Sequence, residues 1–244
     1  MKKLTTLLVA FFVTAGMAYA QNNEATIEQI GNNDQAGIEQ LGLENNASIY
    51  QNTRNQVNIA DIYQEGDNNT ANIEQRDRSD RGFIDQQGDD NTASIDQETW
   101  NSNPTSYAYI DQFGDGNDAT QWQRGGSSNY LSIYQSGDDN EAVQNQGNTN
   151  YHASHGEISQ DGNGNFASQT QLRGMTGYIT QDGDNNSATM VQDGTSWGNG
   201  NANNLGTINQ FGDLNIASMS QWSADNTATV SQTGNSNTAT VIQD

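Results

Sequence analysis

Residues 64–75 read QEGDNNTANIEQ, and this stretch is one copy of a unit that recurs along the chain. A glutamine opens the unit and another closes it eleven positions later, with Gly66, Asn69 and Ala71 between them. Nine glutamine pairs have this separation of eleven: Gln40–Gln51, Gln64–Gln75, Gln86–Gln97, Gln112–Gln123, Gln135–Gln146, Gln160–Gln171, Gln181–Gln192, Gln210–Gln221 and Gln232–Gln243. The separations between successive pairs vary from 10 to 18, so one connection of each repeat is fixed in length and the other tolerates insertions.

Three further columns are invariant when the nine units are aligned on their first glutamine. Glycine lies two residues after that glutamine and alanine lies seven residues after it in every unit. Asparagine lies five residues after it, at Asn45, Asn69, Asn91, Asn117, Asn140, Asn165, Asn186, Asn215 and Asn237. Such self-similarity at a short period is the sequence signature of a repeat protein.

The spacing of these columns predicts strands. The asparagine, the alanine, a mostly apolar residue and the second glutamine follow one another at intervals of two, so on a strand they share one face. Glycine with aspartate or asparagine suits a tight turn, and period-two patterning disfavours helix. Each unit is therefore predicted to be strand, turn, strand.

The predicted fold is all-β: a two-sheet β-solenoid of nine strand–turn–strand repeats, cross-β in character. A two-stranded unit cannot bury its face alone, but stacked copies can. Stacking places identical amides one rung apart, where each side chain can donate to the next. An unpaired buried amide costs about 1–3 kcal/mol. We therefore expect all eighteen glutamines and nine asparagines given above to form structural ladders, and Gln121, Gln144 and Gln169 to form an additional one.

The composition excludes some classes of protein. Only 32% of the 244 residues are hydrophobic, below the usual share for a globular domain, and the net charge is −22. A strongly acidic chain repels phosphate, so nucleic acid is not expected as a partner. Lys2 and Lys3 precede the apolar run LLVAFFV, and AYA ends at Ala20, as in a secretory signal peptide. The expected organisation is a signal peptide at 1–20, a short segment with a partial repeat at 21–33, and the nine repeats at 34–244.

The ends of the repeat array suggest polymerisation. A solenoid that stays monomeric needs capping segments, because its end rungs have open strand edges. The last repeat reaches Gln243, one residue before Asp244, and a partial repeat centred on Gln29 lies at the other end. Both ends are expected to accept another copy of the chain.

The columns resemble the curlin-repeat family, whose pattern is Q-x-G-x-x-N-x-A-x-x-x-Q. The resemblance implies a structural subunit of extracellular curli-type amyloid fibres, serving biofilm matrix and adhesion on a bacterial cell surface. It also implies partners: other copies of the chain, a related nucleator subunit, an outer-membrane secretion pore and periplasmic chaperones. The alternatives are the nucleator of the same fibre, a monomeric β-solenoid adhesin or ice-binding module, and a disordered spacer. The family's long glycine-rich export segment is reduced here, leaving 21–33 as the candidate export signal.

Few other residues suggest chemistry. His152 and His155 form H-x-x-H, but without a cysteine or third histidine a zinc site is not expected. The fixed turns hold twelve acidic residues and no basic one, which gives either a solvated edge or weak divalent-cation binding. Trp100 and Trp197 lie in the longest connections and either bind sugars or dyes or pack on the surface. No nucleophile–base arrangement occurs, so neither enzymatic activity nor a cofactor is expected.

Overall fold

The described part of the repeat array consists of strands joined by turns and short connections. The computed structural model describes residues 22–53, 57–77, 79–99, 105–125, 128–147, 153–172, 174–194 and 203–244. Nineteen strands lie in these ranges: β1 (Glu24–Ile30), β2 (Gln35–Leu41), β3 (Asn46–Thr53), β4 (Ile59–Glu65), β5 (Thr70–Asp77), β6 (Asp80–Gln87), β7 (Thr92–Thr99), β8 (Ser106–Phe113), β9 (Asp118–Arg124), β10 (Tyr130–Ser136), β11 (Glu141–Gly147), β12 (His155–Asp161), β13 (Phe166–Leu172), β14 (Thr176–Asp182), β15 (Ser187–Asp193), β16 (Leu205–Phe211), β17 (Ile216–Gln221), β18 (Thr227–Thr233) and β19 (Thr238–Gln243). The described ranges contain no helix.

The strands form two parallel sheets that the chain visits alternately. Odd-numbered strands form a ten-stranded sheet and even-numbered strands a nine-stranded sheet. Each strand pairs with the next strand of its own sheet in register, so that Ala47 lies beside Ala71 and Gln51 beside Gln75. The predicted two-sheet β-solenoid is confirmed, with β2 to β19 supplying nine strand–turn–strand repeats. Strand β1 adds a half-rung that pairs with β3 over seven residues.

The interior combines an apolar stripe with polar columns. Alanine and isoleucine side chains from both sheets form one continuous core, and most are fully buried. The aligned glutamines and asparagines lie on the same inward faces, where those of the inner rungs are also buried. Alternation along each strand sends every second residue inward, as the period-two pattern predicts.

The fixed turns stack on one lateral edge of the coil, which we call the fixed edge; the other connections lie on the variable edge. In all nine fixed turns the glycine has φ between +97° and +124°, and the residue two further on has φ between +55° and +66°. Backbone bonds join successive turns, as where Gly66 N–H donates to Leu41 O at 3.0 Å. In the first eight fixed turns a Cβ at the glycine would collide with the next turn, and in the ninth the φ of Gly234 still favours glycine, which explains the invariant column.

We expect Gly88→Ala to destabilise the coil. Its φ is +124°, and an added Cβ would overlap the carbonyl group of Gly114 in the next turn. The free energy of unfolding should fall by at least about 1 kcal/mol. Gly37→Ala is the control, because φ there is ordinary and the nearest atom is the movable Oδ1 of Asp61, 2.6 Å from the added Cβ. Equal guanidinium unfolding midpoints for the two variants would contradict the explanation.

Candidate assembly site

The first glutamines of the repeats form an unbroken ladder along the nine-stranded sheet. Each Nε2 donates to the Oε1 of the next rung at 2.8–2.9 Å. The same amide group also donates across the interior, as from Gln86 Nε2 to Thr70 O at 3.2 Å. Each glutamine therefore connects neighbouring rungs and both sheets. The members are Gln40, Gln64, Gln86, Gln112, Gln135, Gln160, Gln181, Gln210 and Gln232.

The second glutamines form a ladder that is interrupted in the middle of the chain. Bonds of 2.7–2.8 Å join Gln29, Gln51, Gln75, Gln97 and Gln123 in sequence. Bonds of 2.8–3.0 Å join Gln171, Gln192, Gln221 and Gln243.

The expectation of a ladder bond is wrong at Gln146, which lies in the gap. It is fully buried, and neither its Nε2 nor its Oε1 has a hydrogen-bond partner. The neighbouring Gln123 instead donates across the interior to Tyr107 O at 2.6 Å. On the far side of the gap, the Oε1 of Gln171 extends toward Gly156 of the facing sheet, where the missing Cβ leaves space. Amides here reach across the interior rather than along the column.

The additional ladder predicted for the middle rungs is confirmed. Gln121 Nε2 donates to Gln144 Oε1 at 2.9 Å, and Gln144 Nε2 donates to Gln169 Oε1 at 3.0 Å. The ladder lies beside the gap in the second-glutamine ladder. In β9, β11 and β13 the inward position two residues before the second glutamine holds another glutamine. In the other described strands the equivalent position holds an apolar side chain.

The asparagine column bonds mainly to backbone rather than simply amide to amide. Asn69 N–H donates to Asn45 Oδ1 at 2.9 Å, and Asn45 Nδ2 donates to the turn carbonyl of Gly66 at 2.7 Å. From Asn117 onward a side-chain bond to the preceding asparagine is added, 3.1 Å for Asn117 Nδ2 to Asn91 Oδ1. The column therefore ties each fixed turn to the next strand pair.

A matching column on the variable edge escaped the sequence reasoning. It lies six residues before each first glutamine, at Asp34, Asn58, Asp80, Ser106, Asn129, Ser154, Met175, Asn204 and Asn226. Asn58 N–H donates to Asp34 Oδ1 at 3.0 Å, and Asp80 N–H donates to Asn58 Oδ1 at 2.9 Å. The invariant asparagine also lies six residues before its glutamine, so aligning half-repeats would have revealed this column.

Several turn carboxylates have a defined structural contact. The third residue of a fixed turn donates its N–H to the side chain of the equivalent residue one rung on, as Asp67 does to Asp89 Oδ1 at 2.7 Å. Asp89 repeats the bond to Asp115 Oδ1 at 2.8 Å. Among the described residues, no three histidine or acidic side chains group as metal ligands would. Cation binding by the acidic edge stays a prediction.

The outer face of the nine-stranded sheet carries aromatic and acidic side chains. Phe83 stacks on Tyr109 with ring centroids 5.1 Å apart, and Tyr130 stacks on His155 at 4.8 Å. His155 Nε2 also lies 2.6 Å from Glu157 Oε1. The other candidate positions His152, Trp100 and Trp197 lie outside the described residues, as does the segment 1–20.

Asp85 and Asp111 lie side by side on this face, one rung apart. Burial raises the pKa of the Asp111 carboxyl group, and the negative charge of Asp85 raises it further. Burial likewise raises the pKa of Asp61 and of Asp118.

Comparison with known families agrees with this geometry. The family profile described as curlin associated repeat matches residues 20–52, 58–98, 152–194 and 223–244, more than half of the chain. The chain belongs to the curlin-repeat family. A search of curated proteins gives no significant match. The curlin profile does not match residues 99–151, which contain Gln121 and Gln144, yet strands β8 to β11 pair there in the same register. In the described part of the chain, no helix is long and apolar enough to cross a membrane.

Replacing a buried glutamine with methionine, a side chain of similar shape, should affect the free energy of unfolding differently at Gln146 and at Gln135. Gln146→Met should leave stability unchanged or raise it, because the buried amide has no partner to lose. Gln135→Met, in the same repeat, removes bonds to Gln160 and to Asp118 O, and should cost about 1–3 kcal/mol. Denaturant unfolding of both variants measures this difference. A larger loss for Gln146→Met would show that its amide group is bonded after all.

We expect Asp111 to make the folded chain more stable in mild acid than at neutral pH. Its pKa in the folded chain lies above the ordinary 3.8, so the folded chain holds the proton more tightly than the unfolded chain. The free energy of unfolding should therefore rise as the pH falls through the folded pKa toward 3.8. Asp111→Asn should flatten this rise and stabilise the chain at neutral pH, whereas Asp90→Asn, in an exposed turn, should do neither. Unfolding midpoints between pH 7 and about pH 4 test the prediction, and a wild-type slope in Asp111→Asn would refute it.

Proposed function

We propose that this chain is the structural subunit of an extracellular curli-type amyloid fibre, in which copies add end to end by β-strand stacking. The observation that carries the proposal is the complementarity of the two ends of the solenoid. At each end two strands have one edge without a described neighbour: β1 and β2 at one end, β18 and β19 at the other.

The ladder glutamines make the two ends complementary in hydrogen bonding. Apart from Gln123 and Gln146 at the gap, the inner ladder glutamines donate to the next rung. Gln232 and Gln243 donate only across the interior, to Ile216 O at 3.0 Å and Thr227 O at 3.1 Å. At the other end, no described residue donates to the Oε1 of Gln29 or Gln40. One end therefore offers amide donors and the other offers amide acceptors, in the spacing of the ladder itself.

The apolar stripe also continues to both ends. Ile27 and Ile38 at one end, and Ala239 and Val241 at the other, are only partly buried and pack against the core. A further rung would cover them, and burying apolar area contributes about 25 cal/mol per Å². Strand addition thus gains both backbone pairing and core burial.

The family and the leader sequence extend the proposal beyond the coil. We assign residues 1–20 to a secretory signal peptide, 21–33 to the export segment and 34–244 to the fibre-forming array. A related nucleator subunit would start growth on the cell surface, after export through an outer-membrane pore with periplasmic chaperones. The role is structural, in biofilm matrix and adhesion, rather than enzymatic.

Assembly from a denatured state tests the proposal. The chain without residues 1–20, diluted out of denaturant, should form fibres with a meridional reflection near 4.8 Å and an equatorial one near 10 Å. A chain that stays monomeric at high concentration would instead indicate an isolated adhesin or ice-binding solenoid.

The growing end predicts which substitutions slow elongation. Gln243→Ala and Asn237→Ala each remove amide groups that the next molecule would meet, and should slow seeded elongation about fivefold. Thr238→Ala, between them on an outward-facing position, is the matched control and should elongate at the wild-type rate. Unchanged elongation in both amide variants would rule out a ladder across the junction.

A further inference from the structure

The two sheets of the solenoid differ by one strand, ten against nine. From this we infer that successive molecules in the fibre are related by a half-turn about the fibre axis. The inference rests on the proposed function and specifies the contact between a molecule and the second copy that docks on it.

The coil geometry leads to the half-turn directly. The chain alternates between sheets, and β19, the last described strand, lies in the ten-stranded sheet, so the next position in the alternation lies on β18 in the other sheet. An incoming copy without rotation would place its β1 on β19 and leave a gap one strand wide above β18. A copy rotated by a half-turn places its β1 on β18 and its β2 on β19. Every strand edge at the junction is then paired, and the alternation of the coil continues.

The sequences that would meet agree position by position. Residues 23–40 read NEATIEQIGNNDQAGIEQ, and residues 226–243 read NTATVSQTGNSNTATVIQ. The pairs that share a column are Asn23 on Asn226, Ala25 on Ala228, Ile27 on Val230, Gln29 on Gln232, Gly31 on Gly234, Ala36 on Ala239, Ile38 on Val241 and Gln40 on Gln243. Both glutamine ladders, both alanine columns and the apolar stripe continue across this contact.

The β1–β2 turn has the sequence of the opposite edge. It lies on the variable edge, yet it alone among the nine connections there combines a glutamine spacing of eleven with a glycine two residues after the glutamine. Gly31 has φ +151° and Asn33 has φ +66°, so both positions are left-handed, as in the fixed turns. After a half-turn, this turn stacks on the last fixed turn of the preceding molecule, at Gly234. The half-turn explains why a fixed-type turn is found on the variable edge.

The bonding between turns separates this arrangement from a second alternative, in which β1 is displaced and β2 docks on β18. Each fixed turn donates a backbone N–H to an Asp or Asn Oδ1 one rung on, and the last such bond runs from Asp213 N–H to Asn235 Oδ1 at 3.0 Å. The N–H of Asn235 has no described partner. The rotated copy places Asn32 at the next position, whereas a copy with β1 displaced would place Leu43 there, which has no acceptor.

Cryo-electron microscopy of fibres grown from the chain without residues 1–20 tests the inference. A half-turn junction gives a rise of nine and a half rungs per molecule, about 46 Å, with a rotation of 180° added to the twist of the coil. An unrotated junction with a gap gives ten rungs, about 48 Å, and a displaced β1 gives nine rungs, about 43 Å, both without the half-turn. Either of these results would overturn the inference and leave the proposed fibre subunit intact. No fibres at all would refute the proposed function.

Two matched variants test the same contact in solution. Asn32→Leu should slow seeded elongation about fivefold, because the N–H of Asn235 loses its acceptor. Leu43→Asn should leave the rate unchanged, since Leu43 is not at the junction of rotated molecules. The opposite result, with Asn32→Leu neutral and Leu43→Asn faster, would favour a displaced β1. Deleting residues 22–33 leaves eighteen strands, and the fibre should then lose the half-turn and rise by about 43 Å per molecule.

Discussion

The fold depends on one constraint: the amides carried into the interior must find partners on a neighbouring rung or on the facing sheet, and among the described residues Gln146 is the one ladder glutamine that has neither. Parallel in-register pairing meets this need, because it places each glutamine beside a glutamine. A slip of one residue would turn every inward side chain outward, so the buried columns set the register. Glycine in the fixed turns has a different task, since it lets successive turns approach closely enough for their backbones to bond.

The repetition made much of this predictable from sequence. A single Q-x-G-x-x-N-x-A unit could be chance, but nine aligned copies define the inward face, the turn and the two sheets. The hydrogen-bond partners within the columns were harder to predict, because one residue type can form its hydrogen bonds in several ways. Asn45 bonds to the backbone of the next turn, and Gln146 bonds to nothing although its column is invariant. The hydrogen-bond partner of each amide depends on the free space around its side chain, and the aligned sequence does not give that space.

The variable edge was predicted least well. Its inward column mixes asparagine, aspartate, serine and methionine, and it follows connections whose lengths differ. Asn129 and Ser154 accept equivalent backbone N–H groups from the next rung, so more than one residue type can serve at this position. The variable connections differ in length, yet the strands on either side of the connection between Gln192 and Gln210 keep the common register. The core columns can therefore continue through them without a change of register.

Both sheets present similar inward sequences: in most strands a polar residue, alanine or glycine, an apolar residue and glutamine follow one another at intervals of two. Either sheet can therefore receive a strand that belongs to the other, which makes an odd number of strands compatible with an unbroken coil. The outer faces are not equivalent, because one carries the Phe83–Tyr109 stack and the other a column that includes Ser94 and Thr120. With a half-turn at each junction, these two faces alternate along both sides of the fibre. On either side of the fibre, lateral contacts through the aromatic face would then recur once in every two molecules. The odd number of strands therefore sets both the pairing at the junction and the spacing of aromatic faces along the fibre.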